Sequence, residues 1–217
     1  MVIWKKIVKQ NKVKIIKNGI DVSNYLINEK RRNDNREKYG INESTLVIGH
    51  VGRFTYAKNH KFLLEVFNDI HNKTNNSKLI LVGDGELKPK IKQYIAENNL
   101  DDSVIFTGVT NNVPMFLEIM DVYVFPSHYE GLSLSAVEAQ ASGLLSFLST
   151  SNSTEVKLTD LVHFLPLEYN EEKWSKEILA KVSLINRRSH SNEVKNAGFD
   201  ISETVIILSN FYLELVD

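Results

Sequence analysis

The chain contains no cysteine, which excludes disulfides, cysteine-based zinc sites and a cysteine nucleophile. It has no excess of charge of either sign: 26 Lys and Arg against 27 Asp and Glu give a formal net charge of −1. A global basic field for nucleic acid is thereby excluded, and only a local basic pocket remains open. No apolar run reaches the ~18 residues of a membrane-spanning helix. Residues 1–11 are basic but lack the apolar core and small-residue cleavage site of a signal peptide, so the expected compartment is the cytoplasm. Gly-x-Ser-x-Gly, Gly-x-x-x-x-Gly-Lys and His-Glu-x-x-His are all missing, and with them the serine-hydrolase, P-loop ATPase and zinc-protease readings. The chain does have 217 residues, 42% of them apolar and 24% charged. That is an ordinary globular composition, in one large domain or two small ones.

The pattern along the chain is alternation. Short β-branched runs at 13–16, 45–51, 78–82, 103–107, 121–125, 144–148 and 162–165 read as strands. Stretches of helical period lie at 59–71, 86–98, 113–120, 133–142, 171–186 and 201–215. The polar stretch 24–39 reads as a loop with some helix. Strands alternating with helices predict βαβ units: an α/β, Rossmann-like parallel sheet with helices on both faces. Such sheets bind ligands beyond the carboxyl ends of their strands, so the residues after each strand are the place to look for chemistry.

After the strand at 45–51 come Gly52, Arg53 and Lys58. Two cations straddling a turn into a helix suit a diphosphate, Arg as a fixed fork and Lys as a mobile point charge. The same spacing fits two solvated surface cations. After 78–82 comes Gly83-Asp84-Gly85-Glu86, which fits either a phosphate-approach loop or a tight turn. After 121–125 comes the densest group: Pro126, Ser127, His128, Tyr129, Glu130, Gly131, Leu132 and Ser133, then Glu138. Carboxylates are strong acceptors for sugar hydroxyls, and a helix opening near Ser133 aims its N–H groups at the crevice. A capped helix with surface acids reads equally well. His50, His60 and His128 are scattered along the chain, and packed or solvated roles are the default for His50 and His60.

Taken together, these residues resemble the donor-binding half of retaining glycosyltransferases with the GT-B fold, often called group 1 or family four. The resemblance rests on Lys17-Asn18-Gly19-Ile20-Asp21, Gly52-Arg53 with Lys58-Asn59, and Leu81 to Leu87. It continues through Val104 to Gly108, Asp121 with Pro126-Ser127, and Glu130-Gly131 to Glu138-Ala139 with Gly143. Six pieces in order over about 140 residues make it specific. Lys58-Asn59-His60-Lys61-Phe62 and Glu138-Ala139-Gln140-Ala141 are similar to bacterial exopolysaccharide and capsule enzymes.

The resemblance implies roles. Arg53 and Lys58 would hold the diphosphate and, with Glu130, form the catalytic set. Glu138 would accept from the ribose, and Glu130 would contact the transferred sugar. Amides of Gly131, Leu132 and Ser133 would bind the sugar and distal phosphate. The loop from Gly108 and Val109 to Asn112 would face the nucleobase. No metal or other cofactor is implied, in keeping with the missing Asp-x-Asp. The donor would be a nucleotide-sugar, most simply a UDP-sugar. The partner would be an N-terminal acceptor-binding domain, with 1–11 as its remnant or linker and 12–217 as the donor domain. The whole enzyme could associate peripherally with a membrane; nucleic acid is not a partner. By itself the chain is expected to be inactive. Where the family shows Gly-x-Pro, this chain has Gly143-Leu144-Leu145, a changed turn. Two rivals remain: a non-catalytic nucleotide-sugar-binding subunit, and a nucleotide-sugar epimerase-like domain.

Overall fold

The computed structural model describes residues 15–182 and 187–214. Its strands are β1 (Leu46–Val51), β2 (Ser77–Val82), β3 (Val104–Gly108), β4 (Val122–Phe125), β5 (Leu145–Ser149) and β6 (Val162–Leu165). They form one sheet in the order β3-β2-β1-β4-β5-β6, and every neighbouring pair is parallel. Parallel neighbours need crossovers. Helices α2 (His60–Thr74), α3 (Lys88–Glu97), α4 (Val113–Ile119) and α5 (Leu134–Ala141) make the connections from β1 to β5, and a short 3-10 turn, Thr154–Val156, lies between β5 and β6. Helix α1 (Glu29–Lys38) precedes β1, and α6 (Glu171–Val182), α7 (Ser191–Val194) and α8 (Ile201–Leu213) follow β6. The chain moves outward from β1 to β3 and then returns to the other side of β1 at β4. That reversal opens a crevice between the carboxyl ends of β1 and β4.

Helices cover both faces, so β1, β2, β4 and β5 are buried almost along their whole length rather than at alternate residues. On one face Leu63, Val66, Phe67 and Ile70 of α2 bury against Ile48, Leu79 and Trp174. On the other, Leu117 of α4 and Val137 of α5 pack with Val47, Tyr123 and Leu148. Buried polar groups peg the layers together. The Asp121 carboxylate accepts the Val47 N–H at 2.8 Å and pairs with Arg36 at 3.2 Å and with Arg32. The buried Gln140 amide donates to the Ala136 and Val156 carbonyls and accepts from the Leu158 and Thr159 N–H groups.

Most expected elements lie within two or three residues of their place. The stretch 24–39 holds a full helix, α1, begun by the Asn28 side chain accepting from Arg31 N–H. Of the strand expected at 13–16, residues 13–14 lie outside the described residues and Ile15 and Ile16 have no regular structure; Ile20 instead bridges Asp200. Residues 1–11, 183–186 and 215–217, which carry the expected linker and two expected helix ends, also lie outside the described residues. Helix α7 has no sequence signal because four residues with no side-chain cap make no period. The changed turn at Gly143 still requires glycine: φ is +68° and a Cβ would stand 1.8 Å from the Arg188 carbonyl oxygen.

Candidate functional site

The floor of the crevice is made by strand ends in close contact. Gly83 has φ +134°, and a Cβ there would lie 2.2 Å from the Gly52 carbonyl oxygen, so the turns after β1 and β2 touch. In the second turn Asp84 accepts the Gly85 N–H at 2.8 Å and pairs with Lys88 at 2.6 Å. The segment is a tight turn, and Asp84 is held by Lys88. Helix α2 starts directly behind Lys58. Its N-cap, Asn59, is left-handed (φ 54°) and makes no side-chain cap. Its first-turn N–H groups thus lack a capping side chain and add partial positive charge beside Lys58.

Across the crevice the β4–α5 loop brings Glu130 to Lys58, and ammonium and carboxylate form a direct ion pair. The Lys58 Nζ also stands 4.6 Å from the centre of the Phe125 ring, at the last residue of β4. Glu130 is held by a bridge to Asn152, beyond β5. The two loops are tied again where the His128 N–H donates to the Ala57 carbonyl at 2.8 Å and the His128 ring stacks on Tyr56 at 4.5 Å. Arg53 is not in this cluster. Its side chain is 77% exposed and reaches Glu86 at 3.9 Å.

Glu138 sits on the helix behind this loop, half-buried. The Tyr25 hydroxyl is its neighbour. Burial raises its pKa above the usual carboxylate range, and the nearby Tyr25 hydroxyl partly offsets this. Tyr25 itself is pushed far up by burial and by Glu138. Helix α5 is opened by Ser133, whose Oγ accepts from Ala136 N–H. Gly131 is exposed, with open space where a Cβ would stand. Leu132 packs partly against the core. Gly108 ends β3 with φ +70°, and Val109 is exposed beside it. Since β3 is the edge strand, this loop lies two strands away from Lys58.

The sequence reading missed Tyr25 and Phe125, which carry no motif of their own. It also left the histidines apart. His50 and His60 meet inside the domain, ring centres 4.7 Å apart. Burial drives the pKa of His50 down to about 4 and that of His60 lower still. Among the described residues, metal-ligand types cluster at Asp160, His190 and Glu193, whose ligand atoms lie within 4.8 Å of one another. That cluster adjoins the amino end of β6, away from the crevice. Also among the described residues, no helix is long and apolar enough to cross a membrane.

Residues 31–197 match the family described as glycosyl transferases group 1. The chain is 32% identical over 208 residues to the putative glycosyltransferase EpsF of Bacillus subtilis, covering 94% of this chain and 54% of EpsF. It is 30% identical over 216 residues to an Escherichia coli enzyme, UDP-Gal:alpha-D-GlcNAc-diphosphoundecaprenol alpha-1,3-galactosyltransferase, covering 94% of this chain and 55% of that one. The chain thus spans about half the length of these relatives. Its fold is similar to that of Anabaena HepE, solved in complex with UDP and glucose. The TM-score is 0.74 at 19% identity, over 92% of this chain and 56% of HepE.

Proposed function

This chain belongs to the group 1 glycosyl transferases, and from that premise we propose that it binds the nucleotide-sugar donor, a UDP-sugar, of a retaining transferase that builds a surface polysaccharide. The observation that carries the reading is the Lys58–Glu130 pair at the β1/β4 reversal. A cation and an acceptor face each other there, with the uncapped start of α2 beside them. A diphosphate anion meets Lys58, the helix N-terminus and the exposed Arg53 side chain, without a metal ion. Glu138, beside Tyr25, accepts from the ribose. Glu130 accepts from the sugar, amides of Gly131 to Ser133 bind the sugar and distal phosphate, and the Gly108–Val109 loop faces the base.

The proposed chemistry is same-face transfer. The bond from the anomeric carbon to the diphosphate oxygen breaks as the acceptor hydroxyl oxygen bonds to that carbon. The hydroxyl proton passes to the departing phosphate. Lys58 and Arg53 stabilise the negative charge that grows on the leaving group. The acceptor is a growing or lipid-linked glycan at the cytoplasmic face of a membrane, held by a second domain. Transfer therefore needs that domain, and the chain alone binds without turnover. Kinship with the Escherichia coli enzyme, named for UDP-Gal and a GlcNAc-diphosphoundecaprenol, supports both the base and the lipid-linked acceptor. Calorimetric titration of the chain with UDP in chelator tests the reading: binding weakened at least tenfold by Lys58→Ala is the expected result.

A further inference from the structure

His50 lies at the bottom of the same crevice. Its Nδ1 is 2.9 Å from the Val124 carbonyl oxygen. A carbonyl only accepts, so Nδ1 carries the proton and Nε2 is a bare lone pair. Nε2 is buried and has no partner. A buried acceptor without a donor is costly, which calls for an explanation. Gly52 follows two residues later, on the same side of the strand. The point where its Cβ would stand is 3.1 Å from His50 Nε2 and 3.4 Å from Lys58 Cε. The absent side chain thus leaves a gap with the lone pair on one side and the stem of Lys58 on the other. The His50 ring also stacks on Phe125 at 5.3 Å, the ring over which the Lys58 ammonium sits.

We propose that His50 is a positioning residue for Lys58: when an arriving anion opens the Lys58–Glu130 pair, the ammonium donates one hydrogen to His50 Nε2 through the Gly52 gap. This deepens, and rests on, the donor-site reading above. A ligand diphosphate repels the Glu130 carboxylate and attracts Lys58. An ammonium has three hydrogens. One held by His50 keeps the charge at the strand end, two remain for the diphosphate, and Glu130 is released to accept from the ligand's hydroxyls. Burial keeps His50 neutral, so the lone pair is present at physiological pH. His60, the neighbouring ring, is neutral for the same reason and does not supply a competing charge.

The test has a ligand arm and a ligand-free arm. His50→Phe keeps a stacking ring and removes the acceptor; His50→Gln keeps an acceptor. Loss of one charge-assisted hydrogen bond predicts that His50→Phe weakens UDP about tenfold, with His50→Gln recovering most of it. In a Lys58→Met background His50→Phe should have no further effect, because the partner is already gone. A purely packing role predicts the same loss in both backgrounds and overturns the proposal. Gly52→Ala, which fills the gap, should reproduce His50→Phe. Without ligand, Glu130→Gln frees Lys58 from its outer partner. The imidazole 15N resonance of His50 Nε2 should then move towards the hydrogen-bonded position in Glu130→Gln and return in Glu130→Gln/Lys58→Met. An unmoved resonance overturns the proposal. If the wild-type chain fails to bind UDP while the resonance moves, the donor-site reading falls and the His50–Lys58 bond stands.

Discussion

Lys58 and Glu130, 72 residues apart in the chain, close the crevice between β1 and β4 as an ion pair. Each is largely shielded from water, at 18% and 23% side-chain exposure. The pair therefore fixes where the loops after the two strands stand before any ligand arrives. It also sets opposed expectations for the two partners, because removing one frees the other.

Glu130→Gln removes a negative charge from a site read as anion-binding. UDP affinity should stay level or rise, while a UDP-sugar that the chain binds should bind more weakly. Paired calorimetric titrations check this. Equal weakening of UDP and UDP-sugar would take Glu130 away from the sugar.

Arg53 is exposed and its partner Glu86 is 3.9 Å away. Such surface pairs contribute little to stability, roughly 0–1 kcal/mol. Arg53→Ala should thus leave the melting temperature in place. If Arg53 swings onto the diphosphate, charge-assisted bonds worth about 1.5–3 kcal/mol are lost, roughly 10- to 150-fold in UDP affinity. A thermal melt and a titration on the same sample separate the two effects.

Tyr25→Phe deletes the hydroxyl beside Glu138. That hydroxyl lowers the Glu138 pKa, so its loss should raise that pKa further; carboxyl 13C titration reads it. If Glu138 serves the ribose, Tyr25→Phe and Glu138→Ala should both weaken uridine as well as UDP, whereas Arg53→Ala should spare uridine.

The buried histidines set an acid limit. His50 is lowered from 6.5 to about 4, and His60 is lowered as well. Between pH 6.5 and 4 the unfolded chain binds protons that the folded chain refuses, so stability is full above pH 6.5 and falls as pH drops. Each group contributes a slope of up to about 1.4 kcal/mol per pH unit. Urea unfolding at pH 7, 6 and 5 should show the decline, and it should be shallower in His50→Phe.

The strands and crossover helices were legible in the sequence because β-branched runs and helical periods are local signals. Glycine and charge at the strand ends also pointed to the crevice, since topology places those ends together. Three things were not legible. Arg53 and Lys58 read as one cationic pair, yet Arg53 leaves towards Glu86 while Lys58 turns inwards to Phe125 and Glu130. Side-chain direction after a turn depends on the turn itself, not on spacing. Tyr25 reaches Glu138 across 113 residues and carries no signature. Helix α1 was obscured for a third reason: with Glu, Lys, Arg and Asn throughout it has no apolar stripe, and it is held by Arg36 and Arg32 on Asp121 instead.

The most direct measurement is an isothermal titration of the 217-residue chain with UDP in excess chelator, run beside Lys58→Ala. The account predicts saturable binding by the wild-type chain, unchanged by the chelator, and a loss of at least tenfold in Lys58→Ala with the fold intact by circular dichroism. A folded wild-type chain that binds no UDP, or binds it equally well without Lys58, would contradict it.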